Sequence, residues 1–251
     1  MSVFVQSRFE ARFDWGEDGL RELGASGGTV VVVDVLSFST AVDVALSRGA
    51  KVYPYRHGDE TAADFAARIG AVLAVSRATA RDGAAYSLSP VSLSRLQPGE
   101  SVVLPSPNGS ALSLLAAELS GEVLTGCLRN ARAVAERARG MSRPICVIAA
   151  EERWRGSGGL RPAFEDLIGA GAILSELAVR SLSPEALAAI GAFQAAEGEL
   201  ERLLLDCASG RELVAAGFRD DVLVASELNV SGCVPRLVEG CFTDAQKPAG
   251  L

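Results

Sequence analysis

The chain has 251 residues, 49% of them apolar, which is material for one large α/β domain or two closely packed ones and excludes a disordered chain. Its formal charge of −7 and pI near 4.9, with no cluster of Lys or Arg on any segment, argue against a nucleic-acid partner or an anionic membrane surface, so an anionic ligand has to be met by local donors. His57 is the single histidine and the five cysteines include no CxxC pair, which excludes multi-histidine metal sites and fits reduced, buried thiols better than disulfides or zinc. No apolar run reaches the roughly 20 residues of a membrane span and the first residues lack a signal-peptide layout, so the expectation is a cytoplasmic protein.

In chain order, short Val- or Ile-rich runs bounded by Gly, Pro or Ser predict strands at 3–8, 30–35, 51–55, 71–75, 101–104, 122–125 and 145–149, most of them buried on both faces. Between them, helical periodicity predicts helices over 39–48, 59–69, 109–120 and 130–139, and a long one from Pro162 to about Val179. Ala/Leu/Glu-rich composition then predicts helices over 184–205 and 207–216. Two strand-like runs follow, DVLVA at 221–225 and VPRLVEGCF at 234–242. Strands alternating with helices imply a three-layer α/β/α architecture with a largely parallel sheet. The chain is read as one α/β domain over 1–243, with 244–251 as a frayed tail. A strand, hydroxyl-rich turn, helix and strand occur both in VVVVDVLSFSTAVDVALSRGAKVYPY and in SVVLPSPNGSALSLLAAELSGEVLTG. Two similar, intimately packed halves dividing near residue 100 are therefore an option, although any two βαβ units share that much.

Ligands of parallel α/β sheets gather beyond the carboxyl ends of the strands, where helix N-termini present N–H donors. Asp34 lies there, after four valines, and a carboxylate at the end of a buried strand is costly to desolvate unless a cation or several donors meet it. Ser37, Ser39 and Thr40 follow, able to cap the helix or to contact an anion. In VVLPSPNGSALSLL, Asn108 and Gly109 can take positive φ and Ser110 begins a helix, a geometry for an anion cradle or for an ordinary tight turn. In TGCLRNARAV, Asn130 can cap the helix and Arg129 can reach a phosphate or carboxylate. In AAEERWRGSGGLRPAFEDLIGAGAILSEL, Glu151 and Glu152 follow a strand, and Glu165 and Asp166 occupy the first turns of a helix. That second pair either compensates the helix dipole, worth about 0.3–1 kcal/mol per carboxylate, or binds Mg²⁺ together with Asp34. His57, in YRHGDE between a strand and a helix, reads as a solvated loop residue.

The order and spacing of five segments resemble the ComB-type 2-phosphosulfolactate phosphatase family. They are VVDVLSFSTAVDVALSRGAKVYPY, the SLSP of 87–90 before VVLPSPNGS, GCLRNARAVAERA, FEDLIGAGAIL and GFRDDVLVASELNVSGCVPRL, together spanning Val30 to Leu237. The resemblance implies an α/β fold and Mg²⁺-dependent hydrolysis of the phosphate ester of 2-phospho-3-sulfolactate, a step of coenzyme M biosynthesis. It implies Asp34, Glu165 and Asp166 as catalytic and metal-ligating residues, and Ser39, Thr40, Arg77, Asn108, Gly109, Ser110 and Asn130 as substrate contacts. Free N–H groups at the helices after Ser39 and Asn108 are expected to hold the phosphate oxygens.

The chain also departs from the family pattern. Ser37-Phe38-Ser39 stands where Arg-Ala-Thr is usual, and Val75-Ser76-Arg77 where Gly-Glu-Arg is usual. Leu88-Ser89-Pro90 replaces Asn-Ser-Pro, and Ser106-Pro107-Asn108-Gly109-Ser110 replaces Thr-Thr-Asn-Gly-Thr. Each change removes a charge or a donor, so a family member that binds a small anion without hydrolysis is the alternative. A haloacid-dehalogenase-type phosphatase with Asp34 as nucleophile is a weaker one, because such enzymes want a second Asp two residues on, where this chain has Leu36. The expected partner is a small anionic phosphate ester, and a homodimer stays open.

Overall fold

The computed structural model describes residues 2–82, 86–154 and 156–246, so most of the tail expected to fray lies outside the described residues. The strands in chain order are β1 (Ala11–Trp15), β2 (Thr29–Val33), β3 (Lys51–Tyr55), β4 (Val72–Leu73), β5 (Ser101–Pro105), β6 (Glu122–Gly126), β7 (Ile145–Ala149), β8 (Glu152–Arg153), β9 (Leu160–Arg161), β10 (Pro235–Val238) and β11 (Cys241–Asp244). The helices are α1 (Gly16–Gly24), α2 (Phe38–Ser47), α3 (Glu60–Ile69), α4 (Pro90–Leu93), α5 (Gly109–Leu119), α6 (Ala131–Arg139), α7 (Phe164–Glu176), α8 (Pro184–Ala196), α9 (Leu200–Asp206), α10 (Ala208–Ala215) and α11 (Arg219–Ser226).

Nine strands form one sheet in the order β1-β7-β2-β6-β10-β11-β3-β5-β4, and helices cover both faces. The valines of β2 show why. Val31 and Val33 enter one core with α6, α7 and α8, whereas Val30 and Val32 enter a second core with α1 and α5, and all four are fully buried. A strand buried on both faces has no polar side to offer, so its sequence is a continuous apolar run. The three-layer α/β/α expectation and the mostly parallel sheet are borne out.

The pairing is parallel within β1-β7-β2-β6 and within β3-β5-β4, and antiparallel at each of the three steps through the β10-β11 hairpin that joins these groups. Three reversals in a row leave the second group running against the first. The carboxyl ends of β2 and β5 nevertheless come together, because the loop after β5 reaches the residue after β2: Gly109 N–H donates to Asp34 Oδ2 at 2.9 Å.

Four expected elements are corrected. The run at 3–8 holds only a 3₁₀ turn, Val3–Val5, with Val3 and Phe4 exposed; the edge strand is β1, where Ala11 and Phe13 are buried and pair along β7. DVLVA is part of α11, not a strand. Its Val222 and Ala225, three apart, are buried on one helical face, which overrides the β propensity of its valines. VPRLVEGCF is a hairpin rather than one strand, since Glu239 and Gly240 both take positive φ, 50° and 77°, and turn the chain back in two residues. The long helix expected over 184–205 is interrupted by a 3₁₀ turn at Glu197–Glu199 around Gly198.

Candidate active site at the meeting of two strand ends

β2 ends at Val33 and delivers Asp34 to the point where α2 and α5 both begin. The Asp34 carboxylate is 7% exposed; Oδ1 accepts from Phe38 N–H at 3.1 Å and Oδ2 from Gly109 N–H at 2.9 Å, the first residues of the two helices. Two helix N-termini aimed at one carboxylate favour its charged form. Burial and the nearby charge of Glu165 nevertheless outweigh these bonds and push its pKa up to about 6.

Gly109 is a glycine for a different reason from the expected one. It does not take positive φ; a Cβ there would meet Phe38 Cδ1 at 2.3 Å, so only glycine lets the start of α5 close on α2. The side chain of Asn108 donates to Glu151 O at 3.1 Å, tying the same turn to the end of the β7 segment.

α7 supplies Glu165 and Asp166, 2% and 3% exposed. Asp166 Oδ1 accepts from Val35 N–H at 2.8 Å, next to Asp34 in the chain. Gly169, one turn later on the same face, permits that approach, since a Cβ there would stand 2.5 Å from Val35 Cγ2. Burial, then the charges of Asp34 and Glu165, raises the Asp166 pKa well above the carboxylate range. The Cys207 thiol donates to Glu165 Oε2 at 3.5 Å; burial and Glu165 push its pKa up to about 12, so it stays a thiol.

A fourth carboxylate joins them. Glu152, on the short hairpin β8-β9, is pushed up to about 7 by burial and by the charges of Asp34 and Glu165. The sequence offered only two consecutive glutamates after a strand, and the positive φ of Glu151, 77°, belongs to the turn that leads into β8.

Arg77 brings a positive charge to the Asp34 side of the site. It follows β4 and is held by three acceptors: Nε to Asp221 Oδ2 at 3.3 Å, and Nη2 to Ser37 Oγ at 2.5 Å and Leu88 O at 3.2 Å. Asp221, also bonded by Ser89 Oγ at 2.5 Å, comes from α11, so the helical form of that segment is part of the site's construction.

The other expected contacts are turned inward. Ser39 Oγ accepts from Asp34 N–H at 2.9 Å and shares a 2.6 Å bond with Thr125 Oγ1; Thr40 Oγ1 donates to Val35 O at 2.8 Å and Ser110 Oγ to Leu104 O at 2.7 Å. All three hydroxyls are fully buried and fasten helix starts to strand ends. Likewise the helix N–H groups expected to face phosphate hold Asp34. Asn130, also fully buried, accepts from Cys127 N–H at 2.9 Å and donates to Cys233 O at 3.2 Å, and Arg129 pairs with buried Asp43 at 2.8 Å and with Glu227. Asn130→Ala is therefore expected to cost about 1–3 kcal/mol, the range for stranding buried backbone groups, while KM for a phosphate ester stays within about twofold. Denaturant unfolding and steady-state kinetics check the pair, and a large KM change at unchanged stability would return Asn130 to the substrate.

Among the described residues, no three Asp, Glu, Cys or His side chains already converge as a metal-ligand set, and no helix is long and apolar enough to cross a membrane. The donor chemistry nonetheless suits Mg²⁺. Asp34, Glu165, Asp166 and Glu152 are hard oxygen donors near one another, and Mg²⁺ ordinarily takes one or two carboxylates and completes its shell with water and substrate phosphate.

The family profile described as 2-phosphosulpholactate phosphatase matches residues 18–240. The chain belongs to that family. It is 30% identical over 218 residues to the 2-phosphosulfolactate phosphatase of Methanothermobacter thermautotrophicus, covering 85% of this chain and 88% of the relative. It is 28% identical over 218 residues to a probable 2-phosphosulfolactate phosphatase of Thermotoga petrophila, covering 85% and 91%, and 29% identical over 214 residues to one of Carboxydothermus hydrogenoformans, covering 84% and 87%. Asp34, Arg77, Glu152, Glu165, Asp166 and Asp221 all fall within the stretch that the phosphatase family profile matches. The chain is thus a member of a family of phosphoric monoester hydrolases.

Proposed function

We propose that this family member is a Mg²⁺-dependent phosphatase acting on the phosphate ester of a small anionic hydroxy acid, 2-phospho-3-sulfolactate or a related metabolite. The observation that carries the reading is the junction at Asp34: a buried carboxylate held by two helix starts, with Glu165 close enough to raise its proton affinity, and with Asp166 and Glu152 close enough for the charges of Asp34 and Glu165 to raise theirs. A phosphate ester brought to four carboxylates is repelled unless a cation stands between them. Bound to Asp34 with Glu165 or Asp166, Mg²⁺ would neutralise the phosphate oxygens and lower the pKa of a coordinated water.

The chain's own residues do the rest. Asp34 and Asp166 are fixed by backbone N–H groups, so neither has to reorganise as charge develops. Arg77, anchored on Asp221, orients the anionic ester from the Ser37 side. Glu152, the least buried of the four carboxylates, is the group from which a proton taken from attacking water passes most readily to solvent.

Phosphate release from 2-phospho-3-sulfolactate is expected with Mg²⁺ and to fall at least about 100-fold with chelator, the scale of losing a Lewis acid and its activated water. Binding of the ester with Mg²⁺ and no release would instead establish a binding protein. In a single turnover in ¹⁸O-water the label is expected in the released phosphate and absent from Asp34. Label found in Asp34 would establish an aspartyl-phosphate route.

A further inference from the structure

A cavity of about 640 Å³ opens beside the Asp34 junction, walled by Arg56, His57, Ser76, Arg77, Ser106 and Pro107 over an apolar floor. Its walls are continuous with the site. Arg77 bonds Ser37, the residue before α2, and Ser106-Pro107 lead into the turn whose Gly109 holds Asp34. We infer that this cavity is the subsite for the substrate's second anionic group, a carboxylate or sulfonate, and that Arg56 and His57 select for that group. The inference rests on the phosphatase reading above.

Charge segregation is the first argument. The whole chain carries −7, yet among the described residues no Asp or Glu lines this cavity, whereas carboxylates crowd the adjoining site. Two arginines and the only histidine share its wall, and an imidazole keeps at least one N–H donor in either protonation state. A volume of this size is ordinary for a small-ligand site, within the usual range of about 300–1,000 Å³.

The second argument is an unspent donor. Arg77 uses Nε and Nη2 on Asp221, Ser37 and Leu88, and Nη1 donates to no protein acceptor among the described residues. Every fully buried side-chain nitrogen or oxygen among the described residues has a partner, so Nη1 is open to solvent, and the cavity is what Arg77 lines. Arg56 is similarly available. It pairs with Glu118 at 3.5 Å, with the two side chains 45% and 66% exposed, and exposed pairs of that kind hold a side chain weakly. A ligand bridging Arg77 Nη1 and the Arg56-His57 edge keeps its phosphate toward Asp34 and its second anion in the cationic pocket.

The test compares wild type with Arg56→Gln/His57→Gln, both positions exposed in a loop and outside the catalytic cluster. For 2-phospho-3-sulfolactate with Mg²⁺, KM is expected to rise about tenfold or more with kcat within about threefold, because charge-assisted bonds to a distal group contribute to binding more than to chemistry. For ethyl phosphate, which has no second anion, KM is expected to stay within about twofold. An equal rise for both esters, or a rise for neither, overturns the subsite. If neither ester is hydrolysed, the phosphatase reading fails and calorimetry with 3-sulfolactate, which lacks the phosphate, decides the subsite alone. Binding by wild type that weakens about tenfold in the variant supports it, and equal binding or none overturns it.

Discussion

Asp34→Asn is expected to lower kcat/KM for phosphate release by about 10³-fold or more, equivalent to roughly 4 kcal/mol of transition-state stabilisation, while the melting temperature stays within about 5 °C of wild type. The two effects separate because Asp34 does two jobs of unequal size. As a structural acceptor it takes one N–H from Phe38 and one from Gly109. Asparagine keeps an oxygen for one of them and turns its amide against the other, a loss of about 1–3 kcal/mol. Against that, the substitution removes one of several mutually repelling buried carboxylates, which relieves Asp166 and Glu152. As the proposed Mg²⁺ ligand and centre of the site it has no substitute. Calorimetric Mg²⁺ titration, phosphate release and a thermal melt on the same variant check the prediction. An unchanged Mg²⁺ titration would remove Asp34 from the metal, whereas loss of Mg²⁺ binding together with the fold would leave Asp34 as a structural acceptor.

That division between structural and chemical work also explains what the sequence could disclose. The four-valine run before Asp34 was readable because double burial leaves no other composition available, and it led straight to the carboxylate between the two helix starts. The hydroxyls after it were readable as first-turn residues, but not in their direction. Ser39, Thr40 and Ser110 point back to strand carbonyls or the Asp34 amide because they sit within reach of the sheet edge, a fact of packing and not of spacing. Arg77 and Asp221 are 144 residues apart and meet only once α11 has formed, so a segment whose valines suggested a strand concealed the anchor of this arginine. Glu152 was hidden in the same way, since its role depends on the short hairpin that carries it toward Asp34 and Glu165.

Gly109→Ala is expected to destabilise the protein by about 1–3 kcal/mol, the usual cost of overpacking a tight contact, and to cut turnover by about 100-fold, the scale of roughly 1 Å of misplacement in a catalytic group. The added methyl would stand 2.3 Å from Phe38 Cδ1. That ring is fully buried and packs edge-on against Phe242 at 6.0 Å between centroids, so it has little room to retreat. The start of α5 must move instead, taking the Gly109 N–H from Asp34 Oδ2 and loosening the carboxylate that centres the site. The cause can be tested against the rival explanation, that Gly109 is there for backbone freedom. The same methyl would stand 2.5 Å from Phe38 Cγ and 2.6 Å from its Cβ, so under the contact explanation Phe38→Gly, which removes all three atoms, makes space for it, and the double variant is less destabilised than the sum of the single ones by about 0.5–3 kcal/mol, the range seen for residues in direct contact. Backbone strain at residue 109 would be indifferent to what occupies position 38. Additive losses in denaturant unfolding would therefore sink the contact explanation, and a double variant no less stable and no slower in phosphate release than Phe38→Gly alone would show that close approach of the two helix starts is what sets Asp34 in place.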